Sequence, residues 1–483
     1  MNRLDKIASR HVQAATMADG ANPPRQSPAL TARHPVSSGL RATVLAGLVA
    51  AAWPALANQS LMASGAGLTM GPVFNRANMG SVAYNPGNVT RLVDQDESIR
   101  FGMIDLGARY EMGTIDDLKA VTDQVRADID SAKLVGTQVA AEEALARLNT
   151  VHLPRLDAGA RLSSQGRASL LSPLLVRVDA IGGAFAIAAD VQIQGSGRFR
   201  RSDAVLVNPT VANPRFAVTS ASAFDVKIAR VTHLSLSYGA DVTHWLPESA
   251  RTPADTGRLD IGLRLNSYRA RLERQVITFV DAAGNTSDIR LGDRSNRHYA
   301  KASAVDLGVM WGDEHYQIGA TLYNIGSPKL RYPDPTVDAN RDAMTRLIAE
   351  GAISPLDAVA LKPHIVLEAS VFSANKRWLM QSSMATNATP DFVGEKQRFG
   401  TLAVAYNADR YQGNFASLLN YIVPSLRLGV RRNMAGSRLS LTSIGASWGI
   451  FSLDISASQK SVNVDGSKAP RAAGVSFTVA EKY

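Results

Sequence analysis

The chain has 483 residues, no cysteine and a formal net charge of +10. Without cysteine, thiol redox chemistry, thiolate metal sites and disulfides are excluded. The mean hydropathy is near zero, which is too polar for a bundle of membrane-spanning helices. It fits a membrane barrel, in which only alternate residues of a strand meet lipid. Lysine and arginine do not cluster with aromatic residues, so we expect no nucleic-acid partner.

The first 57 residues have the pattern of an export signal. A polar, basic stretch ends at Arg41, and mostly small and apolar residues follow from Ala42 to Trp53. Pro54-Ala55-Leu56-Ala57 then supplies a small-residue cleavage site. The apolar stretch is too short to span a bilayer, so the sequence predicts a secretory signal (1–57) that is cleaved after about Ala57. The alternative is a buried core helix.

Apolar and polar residues alternate at period two through much of the remaining chain. In segment 451–458, apolar residues occupy every odd position, and serine or Asp454 occupies every even position. We count about fourteen such strands. Several have an aromatic residue near one end: Trp245, Trp311, Tyr406 and Trp448. Export, strand number and aromatic ends together favour an all-β transmembrane antiparallel β-barrel, with a soluble periplasmic β-protein as the alternative.

Charged residues occur on the polar face of these strands. In a soluble sandwich that face would meet solvent, whereas in a membrane barrel it would line the lumen. They form either a polar pathway that also anchors a luminal segment, or mutually neutralising pairs that fill the barrel, and we prefer the second interpretation. The candidate lumen-lining residues are Arg258, Asp260, Arg264, Asp306, Arg427, Arg431 and Asp454.

Two segments interrupt the strand pattern. Apolar residues recur at helical spacing over about 114–150, with Thr114 as the expected N-cap, Asp116 and Asp117 in the first turn, and a break near Gly136. This helical insertion either covers the barrel or packs its own apolar stripe. A long loop over about 327–362 contains a short helix near Met344.

Residues 58–98 are rich in glycine and asparagine and contain Tyr84, Asn85, Pro86 and Gly87. Such a segment buries too little apolar surface to fold alone. Inside a barrel, its backbone groups would find hydrogen-bond partners on the polar inner wall. The sequence therefore predicts an N-terminal luminal hatch at 58–98, followed by the barrel at 99–483.

We expect no enzyme activity, cofactor or metal. Gly445-Ala446-Ser447-Trp448-Gly449 matches the Gly-x-Ser-x-Gly nucleophile motif, but that motif needs a helix after its strand. Another alternating strand follows here, so we interpret the match as a tight turn. The eight histidines are scattered and show no metal-binding spacing.

Short motifs give the chain a resemblance to a known family. Ala83-Tyr84-Asn85-Pro86 and Ile99-Arg100-Phe101-Gly102 look like the start of FadL-type barrels. Segments 305–309 and 318–326 resemble the "D-L-G … G-x-x-x-x-N-L-G" hairpin of that group, and 426–431 and 445–458 fit it too. The most similar branch is the exported proteins of the conjugal transfer TraF type. The family's Asn-Pro-Ala is Asn-Pro-Gly here, and the helical insertion is an addition to its pattern, so no ligand site is carried over.

The resemblance implies a Gram-negative outer-membrane barrel of about fourteen strands with a hatch in its lumen. Our first hypothesis is an outer-membrane channel or binding protein for hydrophobic small molecules. The alternative is a structural or assembly component of a conjugal transfer or secretion apparatus. The expected partners are outer-membrane lipid and a hydrophobic ligand, or conjugation or secretion proteins.

Overall fold

The computed structural model describes residues 63, 65–72, 79–93, 98–246, 257–278, 297–313, 315–334, 341–406 and 424–480. All of them belong to one compact unit, Ala52–Tyr483. The predicted export signal and an ambiguous strand pattern at 411–422 lie outside the described residues.

One large antiparallel sheet dominates the described part of the chain. It has 15 strand segments, two of which continue each other across a break at 171–173, so they form fourteen wall strands. These are β1 (Ile99–Met112), β2 (Arg161–Leu170 with Leu174–Val178), β3 (Gly183–Arg200), β4 (Ala223–Asp241), β5 (Arg258–Thr278), β6 (Arg297–Gly312), β7 (Tyr316–Ile325), β8 (His364–Phe372), β9 (Trp378–Ala385), β10 (Phe399–Tyr406), β11 (Ser425–Asn433), β12 (Ser440–Trp448), β13 (Phe451–Ser458) and β14 (Ala472–Ala480).

The sheet closes on itself. Each wall strand pairs with its neighbour in sequence, and β1 pairs with β14, with Ala108 opposite Val475. Both segments of β2 pair with β1 on one side and β3 on the other. Closure leaves no unpaired edge in the wall, which is the condition for a sheet to cross a bilayer. The predicted barrel of about fourteen strands is confirmed.

The two faces of the wall differ as the alternation predicts. On β5, Leu263 and Leu265 are 40% and 50% exposed, whereas Asp260 and Arg264 are buried. On β13, Leu453 is exposed and Asp454 is buried. The outer surface is therefore an apolar band and the inner surface is largely polar, as in a transmembrane barrel.

The two ends of the barrel also differ. β1 begins and β14 ends at the same end, which we call the terminus end. Four tryptophans, Trp245, Trp311, Trp378 and Trp448, lie on or beside strand ends there and are at least 38% exposed. The longest connections, 113–160 and 326–363, lie at the opposite end, which we call the loop end, whereas the shortest, 313–315 and 449–450, lie at the terminus end.

Helices lie between the wall strands and in the N-terminal segment. They are α1 (Gly67–Met70), α2 (Val89–Leu92), α3 (Leu118–Val135), α4 (Gln138–Arg147), α5 (Leu153–Gly159) and α6 (Arg341–Ala349), with 3-10 turns at Met79–Ala83, Pro86–Asn88, Asp179–Ile181 and Thr243–Trp245 and a π turn at Leu148–His152. Short strand pairs join Val205–Val207 to Ala217–Thr219, Lys329–Arg331 to Ala358–Ala360, Thr389–Pro390 to Lys396–Gln397, and Ser461–Val464 to Ser467–Pro470. Among the described helices, none has the length and apolarity needed to cross a membrane.

The helical insertion starts later than the sequence suggested. Helix α3 begins at Leu118 with Asp117 at its N-cap, so Thr114 is not the cap. The carboxylates of Asp116 and Asp117 instead accept hydrogen bonds from backbone N–H groups of Asn463 and Gly466. The insertion packs an apolar cluster, including Val125 and Leu156, against Phe199 and Phe224 at the loop end of β3 and β4.

Candidate functional site

The N-terminal segment runs along the inner wall of the barrel. Nearly all described residues of 65–72 and 79–93 are buried. Helix α2 and the turn at Met79–Ala83 pack Val82, Val89 and Leu92 against Leu175 and Met310. Inward-facing polar side chains of the wall strands donate hydrogen bonds to backbone carbonyls of this segment.

Three glycines form the floor on which the Asn85-Pro86-Gly87 motif lies. Gly239, Gly262 and Gly308 are directly opposite one another on β4, β5 and β6. A Cβ atom on Gly262 would lie 2.2 Å from the carbonyl carbon of Pro86, and one on Gly308 would lie 2.1 Å from Oδ1 of Asn85. Because the three glycines have no side chain, the backbone of residues 85–87 contacts the backbone of the wall strands directly.

Asn85 fixes the motif in two ways. Its Oδ1 accepts a hydrogen bond from the Gly87 N–H at 2.9 Å and caps the turn Pro86–Asn88. Its Nδ2 donates to the Val309 carbonyl at 3.1 Å and to Oε1 of Glu368 at 2.5 Å. Glu368 is buried, and its second oxygen has no hydrogen-bond partner among the described residues. The Tyr323 hydroxyl also donates to the Tyr84 carbonyl.

Asp260 holds the next part of the segment. Its two oxygens accept hydrogen bonds from Thr90 Oγ1 at 2.7 Å and from Arg91 Nε at 2.6 Å. Arg258, on the same strand, also contacts Asp260, with Nη2 2.7 Å from Oδ1. Burial lowers the pKa of Arg91 from its ordinary value, and the Asp260 carboxylate opposes that effect.

Arg264 joins the wall to the segment. It donates two hydrogen bonds to Oδ2 of Asp306, at 2.9 and 2.7 Å, and its Nη1 donates to the carbonyls of Val82 and Ala83. Asn266 also donates to Asp306, at 2.6 Å. Arg264 and Asp306 thus each have an opposite charge and further hydrogen bonds, which limits the cost of their burial.

The remaining candidate charges lie on the other side of the barrel. Arg427 donates to both oxygens of Asp454, at 3.2 and 2.8 Å, and to Ser447. Arg431 is also buried, but among the described residues it makes no ion pair or hydrogen bond, and its guanidinium instead stacks on Phe399. The structure thus pairs six of the seven candidate residues and leaves Arg431 as the exception.

One part of the inner wall, on β4 to β6, is apolar, whereas Gln192 and Gln194 on the adjacent strand β3 are buried and polar. Strands β4, β5 and β6 contribute buried residues Ala229, Val231, Tyr268, Ala270, Leu272 and Ala304. The connections β7–β8 and β9–β10 fold inward and pack Leu330, Tyr332, Val359, Leu361, Phe392 and Val393 against them. The long loop predicted at 327–362 is therefore part of an apolar seal, which we call the loop seal. Asp391 fastens it by accepting hydrogen bonds from Gln165 on β2 and from Gln397.

The Gly-x-Ser-x-Gly match at 445–449 does not have the strand–turn–helix geometry of a nucleophile motif. Gly445 to Trp448 belong to β12, so only Gly449, with a φ of 56°, lies in the turn that we expected the whole motif to form. Ser447 hydrogen-bonds Arg427 and Ser452. In the part of the chain that the structure describes, no group of three or more acidic or histidine side chains could hold a metal ion.

Several residues of the lumen escaped the sequence analysis. The glycine row could be recognised only from the strand register, Glu368 lay in no motif, and the hairpin motif at 318–326 gave Tyr323 no role. His233 lies between two oxygens, Asp190 Oδ2 at 2.8 Å and Asn266 Oδ1 at 3.0 Å, and it stacks on Tyr268. The sequence carried one signal for these residues, because each of them is on the polar face of an alternating strand and therefore faces the lumen.

The comparisons with known proteins identify a family. Residues 82–384 match the model of the family described as "F plasmid transfer operon, TraF, protein". No curated protein matches the chain significantly.

Solved structures give weaker matches. A TodX mutant described as a monoaromatic hydrocarbon channel is 10% identical, with a TM-score of 0.42, and the match covers 86% of this chain and 99% of that one. A Pseudomonas aeruginosa FadL homologue is 13% identical, with a TM-score of 0.37, covering 88% and 98%. The CymD monoaromatic hydrocarbon channel is 10% identical, with a TM-score of 0.39, covering 88% and 100%.

Proposed function

Because the chain belongs to the F plasmid transfer operon TraF protein family and folds as a sealed barrel, we propose that it is an outer-membrane channel or binding protein for hydrophobic small molecules. The observation that carries the proposal is the apolar inner wall behind the loop seal. A porin-type lumen is polar and filled with water. A ligand that displaced the loop seal would instead contact alanine, valine and leucine side chains of this wall. Displacing Leu330, Tyr332 and Phe392 would expose a surface suited to an apolar molecule.

Residues 58–98 act as a hatch on the terminus side of the loop seal. The support is the set of contacts that Asp260, Arg264 and Glu368 make with 82–91. Hydrogen bonds of this kind can be exchanged for water one at a time, so the main apolar surface that a rearrangement of the hatch exposes is the cluster of Val82, Val89 and Leu92 against the wall. Deleting 58–98 should raise the permeability of the outer membrane to small solutes, and an unchanged leak would count against the hatch.

The signal at 1–57 delivers the barrel to the outer membrane, with the termini on the periplasmic side and the helical insertion outside the cell. The support is the apolar outer band and the contrast between short and long connections at the two ends. Heat-modifiable migration on gels and recovery in the outer-membrane fraction test the location. Recovery in the soluble periplasm would contradict it.

Lipid mass spectrometry on the full chain, purified in mild detergent, tests the ligand class. We expect an apolar compound to co-purify at a fixed ratio and to be lost from a variant in which Ala270→Phe adds a bulky side chain to the apolar wall that contacts the loop seal. A control change on the outer face, Leu265→Phe, should leave the ratio unchanged. Equal recovery of the compound from both variants would place it in the detergent belt and contradict the proposal.

The second candidate is a component of a conjugal transfer or secretion apparatus. The family match favours it, and so do the paired charges that hold the N-terminal segment in the lumen. In that case the helical insertion would be the partner surface. Loss of plasmid transfer on deleting the chain, with uptake of apolar compounds unchanged, would support this alternative over the channel.

A further inference from the structure

Three neighbouring wall strands carry the same pattern on their outer face, where the apolar band ends towards the loop end. On each strand a hydroxyl residue follows the apolar residues, and a cation follows the hydroxyl residue at the next outward position. The pairs are Thr232 and Arg230 on β4, Ser267 and Arg269 on β5, and Ser303 and Lys301 on β6. All six side chains are exposed.

The strand register brings these cations together. Arg269 is directly opposite Lys301, and Arg230 is directly opposite Arg271. We call these four residues the basic cluster. Like charges in directly opposite positions destabilise a sheet unless another charge compensates them. Glu273 pairs with Arg271 at 2.6 Å, whereas among the described residues Arg230, Arg269 and Lys301 make no ion pair. The cluster therefore has an excess of positive charge.

The basic cluster lies at the level where the strands leave the membrane. Trp311, one of the tryptophans of the terminus end, is directly opposite Leu259, and aromatic residues of this kind mark a membrane interface. A tilted strand crosses the hydrocarbon core in about 9–11 residues, so a count along β5 from Leu259 ends near Arg269. The cluster therefore adjoins the apolar band at the level of the lipid headgroups. In the proposed orientation these headgroups belong to the outer leaflet.

We propose that the basic cluster binds the phosphate groups of a membrane lipid that carries at least two phosphates, with the acyl chains of the lipid on the apolar band. Arginine and lysine form strong, charge-assisted hydrogen bonds with phosphate oxygens, and the hydroxyl residues supply further donors to the headgroup. From β4 to β6 the cluster spans two strand spacings, about 10 Å, which is too wide for a single phosphate.

The position of the cluster favours a lipid over a free phosphate ion, because a free ion would make no use of the adjoining apolar surface. The site rests on the proposed orientation in the outer membrane and is independent of the molecule that the barrel transports. Cell fractionation and uptake measure the location and the transport separately. A failure of lipid binding in a purified sample is therefore distinguishable from a failure of the proposed function.

Native mass spectrometry of the full chain in dodecylmaltoside tests the site directly. With lipid A that carries both of its phosphates as the probe, we expect one adduct per barrel. The same concentration of lipid A without phosphates should give none, and an excess of inorganic phosphate should not displace the bound lipid. This comparison uses the wild-type protein and needs no variant. Equal binding of the two lipids, no adduct with either, or displacement by inorganic phosphate would overturn the site.

Neutral variants assign the binding to the basic cluster. Each of Arg230→Gln, Arg269→Gln and Lys301→Gln should weaken the affinity for the phosphorylated lipid by about 3- to 10-fold, and the triple variant by about 30-fold or more. Arg432→Gln is the matched control, because Arg432 is exposed on the outer face of β11 and its directly opposite residues are uncharged. Wild-type affinity in the triple variant would overturn the site.

Discussion

Arg264 and Asp306 face each other on β5 and β6, joined by hydrogen bonds of 2.9 and 2.7 Å, and the same guanidinium also donates to the carbonyls of Val82 and Ala83. One wall residue thus neutralises a buried carboxylate and holds the luminal segment. The ion pair and the anchor of the N-terminal segment are therefore parts of one contact.

The first prediction concerns this contact. Arg264→Met leaves Asp306 as a buried, uncompensated charge, so the free energy of unfolding should fall by about 3–5 kcal/mol. The outer membrane should also become leaky to small hydrophilic antibiotics, because Val82 and Ala83 lose their anchor. Arg432→Met is the control, since Arg432 is exposed on the outer face of β11. A stable barrel with no added leak would contradict the assigned role.

The second prediction concerns the glycine row. Gly262→Ala places a methyl group 2.2 Å from the carbonyl carbon of Pro86, so the motif must move off the wall. We expect increased proteolysis of the N-terminal segment in the intact barrel. In Gly197→Ala, the nearest atom to the new methyl lies at 3.9 Å, and that variant should behave as wild type. Equal protection in both variants would mean that the contact with Pro86 is dispensable.

The third prediction concerns Asn85 and Glu368. Asn85→Asp removes the donor to Glu368 and places two carboxyl groups side by side, which should destabilise the hatch by about 1–3 kcal/mol. Adding Glu368→Gln to Asn85→Asp restores a donor and should recover most of that loss. A double-mutant cycle on the unfolding midpoint measures the coupling, and additive effects would disprove the direct contact.

The fourth prediction concerns the loop seal. Tyr332 is 5% exposed and donates its hydroxyl to the Phe392 carbonyl at 2.8 Å. Tyr332→Ala should leave a cavity against the apolar wall, cost about 3–5 kcal/mol, and increase binding of an apolar fluorescent probe. Tyr299→Ala, at a residue 73% exposed, is the control. If the probe binds both variants alike, the cavity is not the binding place.

The strands were predictable because alternation is a local property. Leu263 and Arg264 already show which face meets lipid, and β13 shows it without any partner strand. The pairing of Arg264 with Asp306, 42 residues away, depends on strand register, which the alternation does not specify.

The loop seal was not predictable for a different reason. Ala270 and Leu272 lie on the inner face of β5, where the polar residues of the same strand indicated a polar lumen. The reason for these apolar residues is visible only in the folded structure, in which Leu330 and Phe392 of the two inward-folded connections pack against them. The start of the helical insertion was misjudged because Asp116 and Asp117 bond to a distant strand pair and not to their own helix.

We propose that the barrel gives apolar molecules a passage across the outer membrane. The most direct test is the initial uptake rate of a radiolabelled apolar compound in cells with and without the full chain, compared with a polar compound of equal size. We predict that removing the chain slows uptake of the apolar compound only and that Tyr332→Ala accelerates it. Equal uptake of the apolar compound in all three strains would contradict a role of the barrel in its passage.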